Sequence, residues 1–266
     1  MFDKIIVSTD DSTFVQFVPV VSRAWKKFFP ECDLHIAFVT DRPEDSDLVT
    51  RMRKYGNVHL FKTIDGVPTA NHAKVARHLL ASKQGDAVCM LEDIDTVPMQ
   101  REFYEDRTSK REKDHLLAVG AEVLRGTPHE GKFPMSTITA EGYLFRELLN
   151  PDNLSDEELV KSWKGISIVD HKESISNSPS TFSDESLIRA LISKWDNKRI
   201  SHADRAVDIH KHWIDRSWWG IDDEKMHNGE YIACNFLRPM EQNYEQLERV
   251  VEFIFDNDIP AEVILK

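Results

Sequence analysis

Cysteine is scarce in this chain. Its 266 residues hold three, Cys32, Cys89 and Cys234. None sits at metal-ligand spacing from another, and an odd, scattered set fits free thiols in a reducing compartment. Basic charge is in deficit: 34 Lys and Arg against 46 Asp and Glu leave a net charge of −12. Non-specific nucleic-acid binding draws on surplus Lys and Arg, so no nucleic-acid partner is expected. A local basic pocket for a nucleotide is compatible with that balance. No apolar run approaches the roughly 20 residues of a membrane span, and no basic-then-apolar leader precedes the first strand. The expectation is a soluble, cytoplasmic protein. Repeats, low-complexity tracts and clear linkers are also missing, so residues 1–266 read as one domain. Glycine is absent from Ser8–Ser12, the first strand-to-helix turn, where a glycine-rich phosphate loop would stand.

What is present alternates. Apolar runs at Lys4–Ser8, Leu34–Thr40, Val58–Lys62 and Ala87–Leu91 read as buried strands. Between them, Phe14–Phe29, Leu48–Tyr55 and Thr69–Lys83 carry apolar residues at helical spacing, with Pro19 favouring a late start of the first helix and Pro30 ending it. That order predicts an α/β fold with a mostly parallel sheet flanked by helices. Ligands of such sheets bind beyond the carboxyl ends of the strands, where Ser8–Asp11, Thr40–Arg42 and Glu92–Thr96 fall. After Met99 the pattern changes. Arg101–His115 reads as a solvated helix or loop, Leu116–Val119 and Ile166–Val169 as strands, and Leu124–Met135 as a long loop. Ala140–Leu149, Ser155–Lys164 (opening with a Ser155–Glu158 capping box), Thr181–Trp195 and Asn243–Asp256 read as helices. Ser174–Ser180 reads as a candidate lid, Trp213–Asp223 as an aromatic, acidic loop, Tyr231–Leu237 as a strand, and Ala261–Leu265 as a last short apolar run.

The stretch Asp86–Met99, DAVCMLEDIDTVPM, carries the strongest chemical signal. Read as a strand end, it sends Asp93 and Asp95 out on one face. Adjacent carboxylates repel unless a cation neutralises them, and a hard divalent ion such as Mg²⁺ or Mn²⁺ suits oxygen ligands and the oxygens of a diphosphate. The alternative is a pair of solvated acids. Asn71, Lys74 and Arg77 recur at three-residue spacing and share much of one helical face; the alternative for the bases is a solvated face.

The order of these parts resembles the GT-A-fold glycosyltransferases that use nucleotide-diphospho sugars, small viral and bacterial ones in particular, over most of residues 1–240. The matching stretches are Asp93-Ile94-Asp95, Val67–Arg77, Phe182–Glu185, and Asp215–Trp219 followed by Tyr231–Pro239. The resemblance implies a nucleotide-sugar-binding half (1–100) and an acceptor-binding half with a C-terminal helix (101–266). It also implies a UDP- or GDP-sugar donor, a glycan or other hydroxyl acceptor, and Mn²⁺ or Mg²⁺ on Asp93 and Asp95. Thr9, Asp10, Asp41, Asn71, Lys74, Arg77, Glu92 and Asp93 are then the donor-binding candidates. Asp184 becomes the candidate general base for the acceptor hydroxyl, with Glu185, Trp218 and Trp219 toward the acceptor. Cap and turn chemistry for Thr9, Asp10, Asp41 and Asp184, and core anchoring for the tryptophans, remain the competing readings. One departure stands out. Where many of these enzymes place a late metal-binding His, this chain has Asn235, with His227 and His212 as alternatives.

Two other patterns are rejected. Gly126–Lys132 matches most of a phosphate loop but is followed by Phe133 where a Ser or Thr is needed. His210 and His212 have no acidic motif to complete a hydrolase site. The rival functions are a metal-dependent nucleotidyltransferase and a non-catalytic sugar-nucleotide-binding relative.

Overall fold

A computed structural model describes residues 1–120, 133, 135–163, 184–195, 199–204, 209–260 and 263–264. The strands β1 (Lys4–Asp10), β2 (Asp33–Val39), β3 (Asn57–Phe61) and β4 (Val88–Leu91) lie parallel in the order β3-β2-β1-β4. The sheet continues through β7 (Ile138–Glu141), β6 (Leu116–Val119) and β8 (Ile200–Ala203). Within it β7 alone is antiparallel to its neighbours. A second sheet holds β5 (Thr96–Pro98), β10 (Ala233–Asn235) and β9 (Trp213–Ile214), in that order.

The central segments of β1, β2 and β4 are apolar because both of their faces are covered, whereas the edge strand β3 buries only Phe61. Ile5, Val7, Ile36, Phe38 and Met90 face one core, which includes side chains of α1 (Val18–Phe28), α10 (Met240–Phe255) and the small sheet. Ile6, Ala37, Val39, Cys89 and Leu91 face a second core, toward α3 (Thr69–Ser82), α5 (Gly142–Leu149), α6 (Asp156–Trp163) and α7 (Asp184–Ile192). Gly142 lets α5 approach α3: a Cβ there would lie 2.7 Å from the Ala81 carbonyl oxygen and 2.9 Å from Gly85 N.

The first helix has the late start that Pro19 favours, while other boundaries depart from expectation. Thr13–Phe17 is a 3₁₀ turn and α1 starts at Val18, with Pro19 in its first turn; a proline suits that position, where the missing N–H costs no intrahelical bond. Ile138–Glu141 is a strand, so the helix expected over Ala140–Leu149 starts at Gly142. Four residues are too few to separate strand from helix by periodicity. The charged segment after Met99 forms α4 (Arg101–Ser109), which is not simply solvated: Phe103 and Tyr104 are buried, and Tyr104 packs edge-on to Trp25. The capping box is present, with Ser155 N donating to Glu158 Oε2 at 2.9 Å and Glu158 N to Ser155 Oγ at 3.3 Å. The candidate strand Ile166–Val169, the candidate lid Ser174–Ser180 and the rejected loop Gly126–Lys132 lie outside the described residues. Among the described residues no helix is long and apolar enough to cross a membrane.

Candidate active site

The strand order turns back between β1 and β4, and such a switch point opens a crevice at the strand ends. Register makes the crevice. β4 ends with Leu91 opposite Ile6, while β1 continues to Asp10 beside Val39. Past Glu92, whose N–H still reaches Ile6 O, the chain leaves the large sheet, turns (Thr96 N to Asp93 O, 3.1 Å) and enters β5. Asp93 and Asp95 are therefore not on a strand face as expected; they occupy the turn between two sheets.

A cleft of about 290 Å³ lies there. Its lining includes Thr9 and Asp10 from β1, Lys74 and Arg77 from α3, Asp93 and Asp95, and Asp184 and Glu185 from the start of α7. Eight of the expected residues thus meet. The others do not line it. Glu92 is fully buried beneath, accepting from Thr137 Oγ1 at 2.9 Å. Asp41 turns to Thr63, whose N–H it accepts at 3.2 Å. Asn71, one turn before Lys74, is half-buried outside the lining. Trp218 is exposed, and Trp219 packs against the first core.

Two arginines that were not expected line the cleft, Arg216 and Arg238. Strand direction brings them there. β5 runs antiparallel to β10 and β10 parallel to β9, so the residue before β5 meets the residues just after β10 and β9. Phe236 N donates to Asp95 O at 2.8 Å. Asp95 Oδ2 accepts from both Arg216 Nη1 and Arg238 Nε. The available signal was positional: Arg238 precedes the Pro239 that closes the strand reading, and Arg216 follows Asp215 in the aromatic loop.

Arg77 neutralises the other side of the cleft. Nearly buried, it donates through Nη1 to Asp93 Oδ1 at 2.6 Å and Glu92 O at 2.9 Å, and through Nη2 to Asp184 Oδ2 at 2.9 Å. Burial pushes the Asp93 carboxyl up, but the charge and hydrogen bonding of Arg77, with Arg216 and Arg238 behind, leave it below its ordinary range. For Asp184 burial prevails over the pull of Arg77, and for Asp95 over that of Arg238 and Arg216, so both carboxyls lie above their ordinary range. Burial, reinforced by Asp93, raises Glu92 to about 7. Asp10 is held by Ser12 Oγ at 2.6 Å and Thr69 Oγ1 at 2.7 Å.

The donor set fits a resident divalent ion poorly. The repulsion that would call for a cation is already met by guanidinium groups on both carboxylates. A divalent ion on those carboxylates would also face the guanidinium groups already paired to them, like charge against like charge. The carbonyl oxygen of Asn235 is occupied by Thr96 Oγ1 at 2.8 Å and Trp213 Nε1 at 3.2 Å. His212 Nδ1 lies 3.0 Å from Glu230 O and His227 Nδ1 2.7 Å from Asp223 O; neither histidine lines the cleft. Among the described residues no three His, Cys, Asp or Glu side chains gather as a metal site.

Solved structures share this arrangement of elements. The galactosyltransferase LgtC, in complex with donor and acceptor sugar analogs, is similar over 97% of this chain and 98% of its own, with a TM-score of 0.52 and 12% identity. An active-site mutant of LgtC is similar over the same shares, with a TM-score of 0.51 and 13% identity. The chain has the GT-A fold. No family model and no curated protein matches it. In GT-A terms the cleft lies where β1, α3 and the Asp93–Asp95 turn meet, so the fold was legible in the sequence while its pair of cleft arginines was not.

Proposed function

We propose that the chain is a glycosyltransferase that moves a sugar from a nucleoside-diphosphate sugar to an acceptor hydroxyl. One observation carries this reading: in a GT-A fold, Asp10, Lys74, Arg77, Asp93, Asp95 and Asp184 line a single cleft at the switch point of the sheet. Thr9 and Asp10, at the end of β1, suit the base or ribose of a UDP- or GDP-sugar. Lys74, exposed on α3, suits the phosphates. Transfer breaks the bond between the anomeric carbon and the diphosphate oxygen, and negative charge grows on that oxygen. Donors already oriented in the cleft would stabilise this charge without reorganising.

Asp184 is the general-base candidate. The acceptor oxygen bonds to the anomeric carbon as its proton passes to the Asp184 carboxylate, while the nucleoside diphosphate departs with the bonding electrons. Arg77 fixes that carboxylate through Oδ2, and Asp184 lines the cleft. Glu185 is the neighbouring candidate for acceptor hydroxyls.

Release of nucleoside diphosphate from UDP- and GDP-sugars, with and without glycan acceptors, tests the reading. Turnover suppressed in Asp184→Asn supports it. Tight nucleotide-sugar binding with no release under any acceptor would instead identify a non-catalytic binding relative.

A further inference from the structure

Asp95 is 3% exposed, yet two guanidinium groups share its Oδ2. Each of those arginines spends one donor on it. Among the described residues neither Arg216 nor Arg238 has another hydrogen-bond acceptor, and their side chains remain 35% and 36% exposed. Arg238 is further fixed by lying 4.9 Å from the centre of the Phe14 ring, itself part of the cleft wall. The result is two planar cations whose remaining N–H groups are available at the cleft, anchored at one end by a buried carboxylate. A guanidinium has five donors in a rigid fork matched to phosphate oxygens, so anchoring one N–H orients the rest.

We infer that this cleft neutralises a diphosphate with Arg216 and Arg238, held in place by Asp95, and without a divalent cation. The inference rests on the nucleotide-sugar reading above and assigns the acidic motif a different duty. Asp95 acts as a positioning residue for arginines, and Asp93 as the anchor of Arg77, so neither is left as an anionic pair awaiting a metal. The arginines would hold the bridging and terminal phosphate oxygens in the ground state and bind them more strongly as charge accumulates during transfer.

Isothermal titration of UDP, GDP, CDP and dTDP into the full chain, in EDTA and in Mn²⁺ or Mg²⁺, tests this without relying on turnover. At least one diphosphate is expected to bind in EDTA, with a Kd unchanged by metal to within about twofold. Arg216→Gln and Arg238→Gln are each expected to weaken that binding about tenfold or more, the scale of a lost charge-assisted hydrogen bond. Unchanged melting temperatures would establish that both variants are folded. Binding that requires the metal overturns the inference and leaves the nucleotide-sugar reading intact. Metal-free binding indifferent to both substitutions overturns the role of the arginines. Binding of no diphosphate under either condition overturns both readings.

Discussion

Arg77 Nη2 lies 2.9 Å from Asp184 Oδ2, joining the third helix of the sheet's first half to the helix that carries the candidate base. The same guanidinium holds Asp93, so one buried cation compensates two acids that arrive from different parts of the chain. Removing it leaves both without their closest cation. Arg77→Met should destabilise the protein by about 3–5 kcal/mol, the cost of breaking a buried pair on one side. Chemical denaturation of this variant and of the Arg77→Met/Asp184→Asn double variant checks it: the double variant should recover part of the loss.

Asp184→Asn keeps an acceptor oxygen for Arg77 but cannot take a proton. Nucleotide binding should persist while transfer falls about 10²-fold or more, the usual scale of general-base catalysis. Calorimetry alongside a turnover assay separates the two; full transfer by this variant would remove Asp184 from the chemistry.

Glu92 gives a pH signature. Its carboxyl, fully buried, is raised from 4.5 to about 7 in the folded protein. The folded state therefore binds more protons than the unfolded chain between those values. Glu92 favours folding most below 4.5, and that contribution is lost as pH rises through about 7. Glu92→Gln removes the dependence, and above about pH 8 it should gain up to about 3 kcal/mol relative to wild type, compared with the same difference below about pH 4. Burial depresses His35 to about 4, so that side chain contributes with the opposite slope, losing stability as pH falls below 6.5. The difference between Glu92→Gln and wild type, measured by denaturation across this range, isolates the glutamate.

Gly142→Ala tests the close approach of α5 to α3 without touching the cleft. The added methyl would meet the Ala81 carbonyl oxygen at 2.7 Å and Gln84 C at 2.9 Å, backbone atoms that cannot rotate away. A loss of about 1–3 kcal/mol is expected from such overpacking, read as a lowered denaturation midpoint.

The parallel half of the fold was legible because strands buried on both faces must be apolar throughout. Ile5–Val7, Ile36–Val39 and Cys89–Leu91 announce themselves without periodicity. Lys74 and Arg77 were legible from helical spacing, and the polar ends of β1 and β4 from the strand-helix alternation. The antiparallel strand Ile138–Glu141 was not, because a four-residue strand with Thr139 and Glu141 buried offers no pattern distinct from the helix that follows it. Asp93 and Asp95 read as neighbours on one strand face because local sequence does not reveal where a chain changes sheets. Arg216 and Arg238 reach Asp95 only through the pairing of β9, β10 and β5, across separations of more than a hundred residues. Asp41 had the right position at a strand end, yet the adjacent Thr63 captures its carboxylate.

The measurement closest to the central claim is a thermal-shift panel of UDP-, GDP-, CDP- and dTDP-sugars on the intact chain, in EDTA and in Mn²⁺. A ligand of the native state at a hundredfold excess over its Kd stabilises it by about 2.7 kcal/mol. The account predicts a raised melting temperature for one nucleotide sugar, present in EDTA and diminished in Arg238→Gln. No shift with any of the four, in either condition, would contradict it.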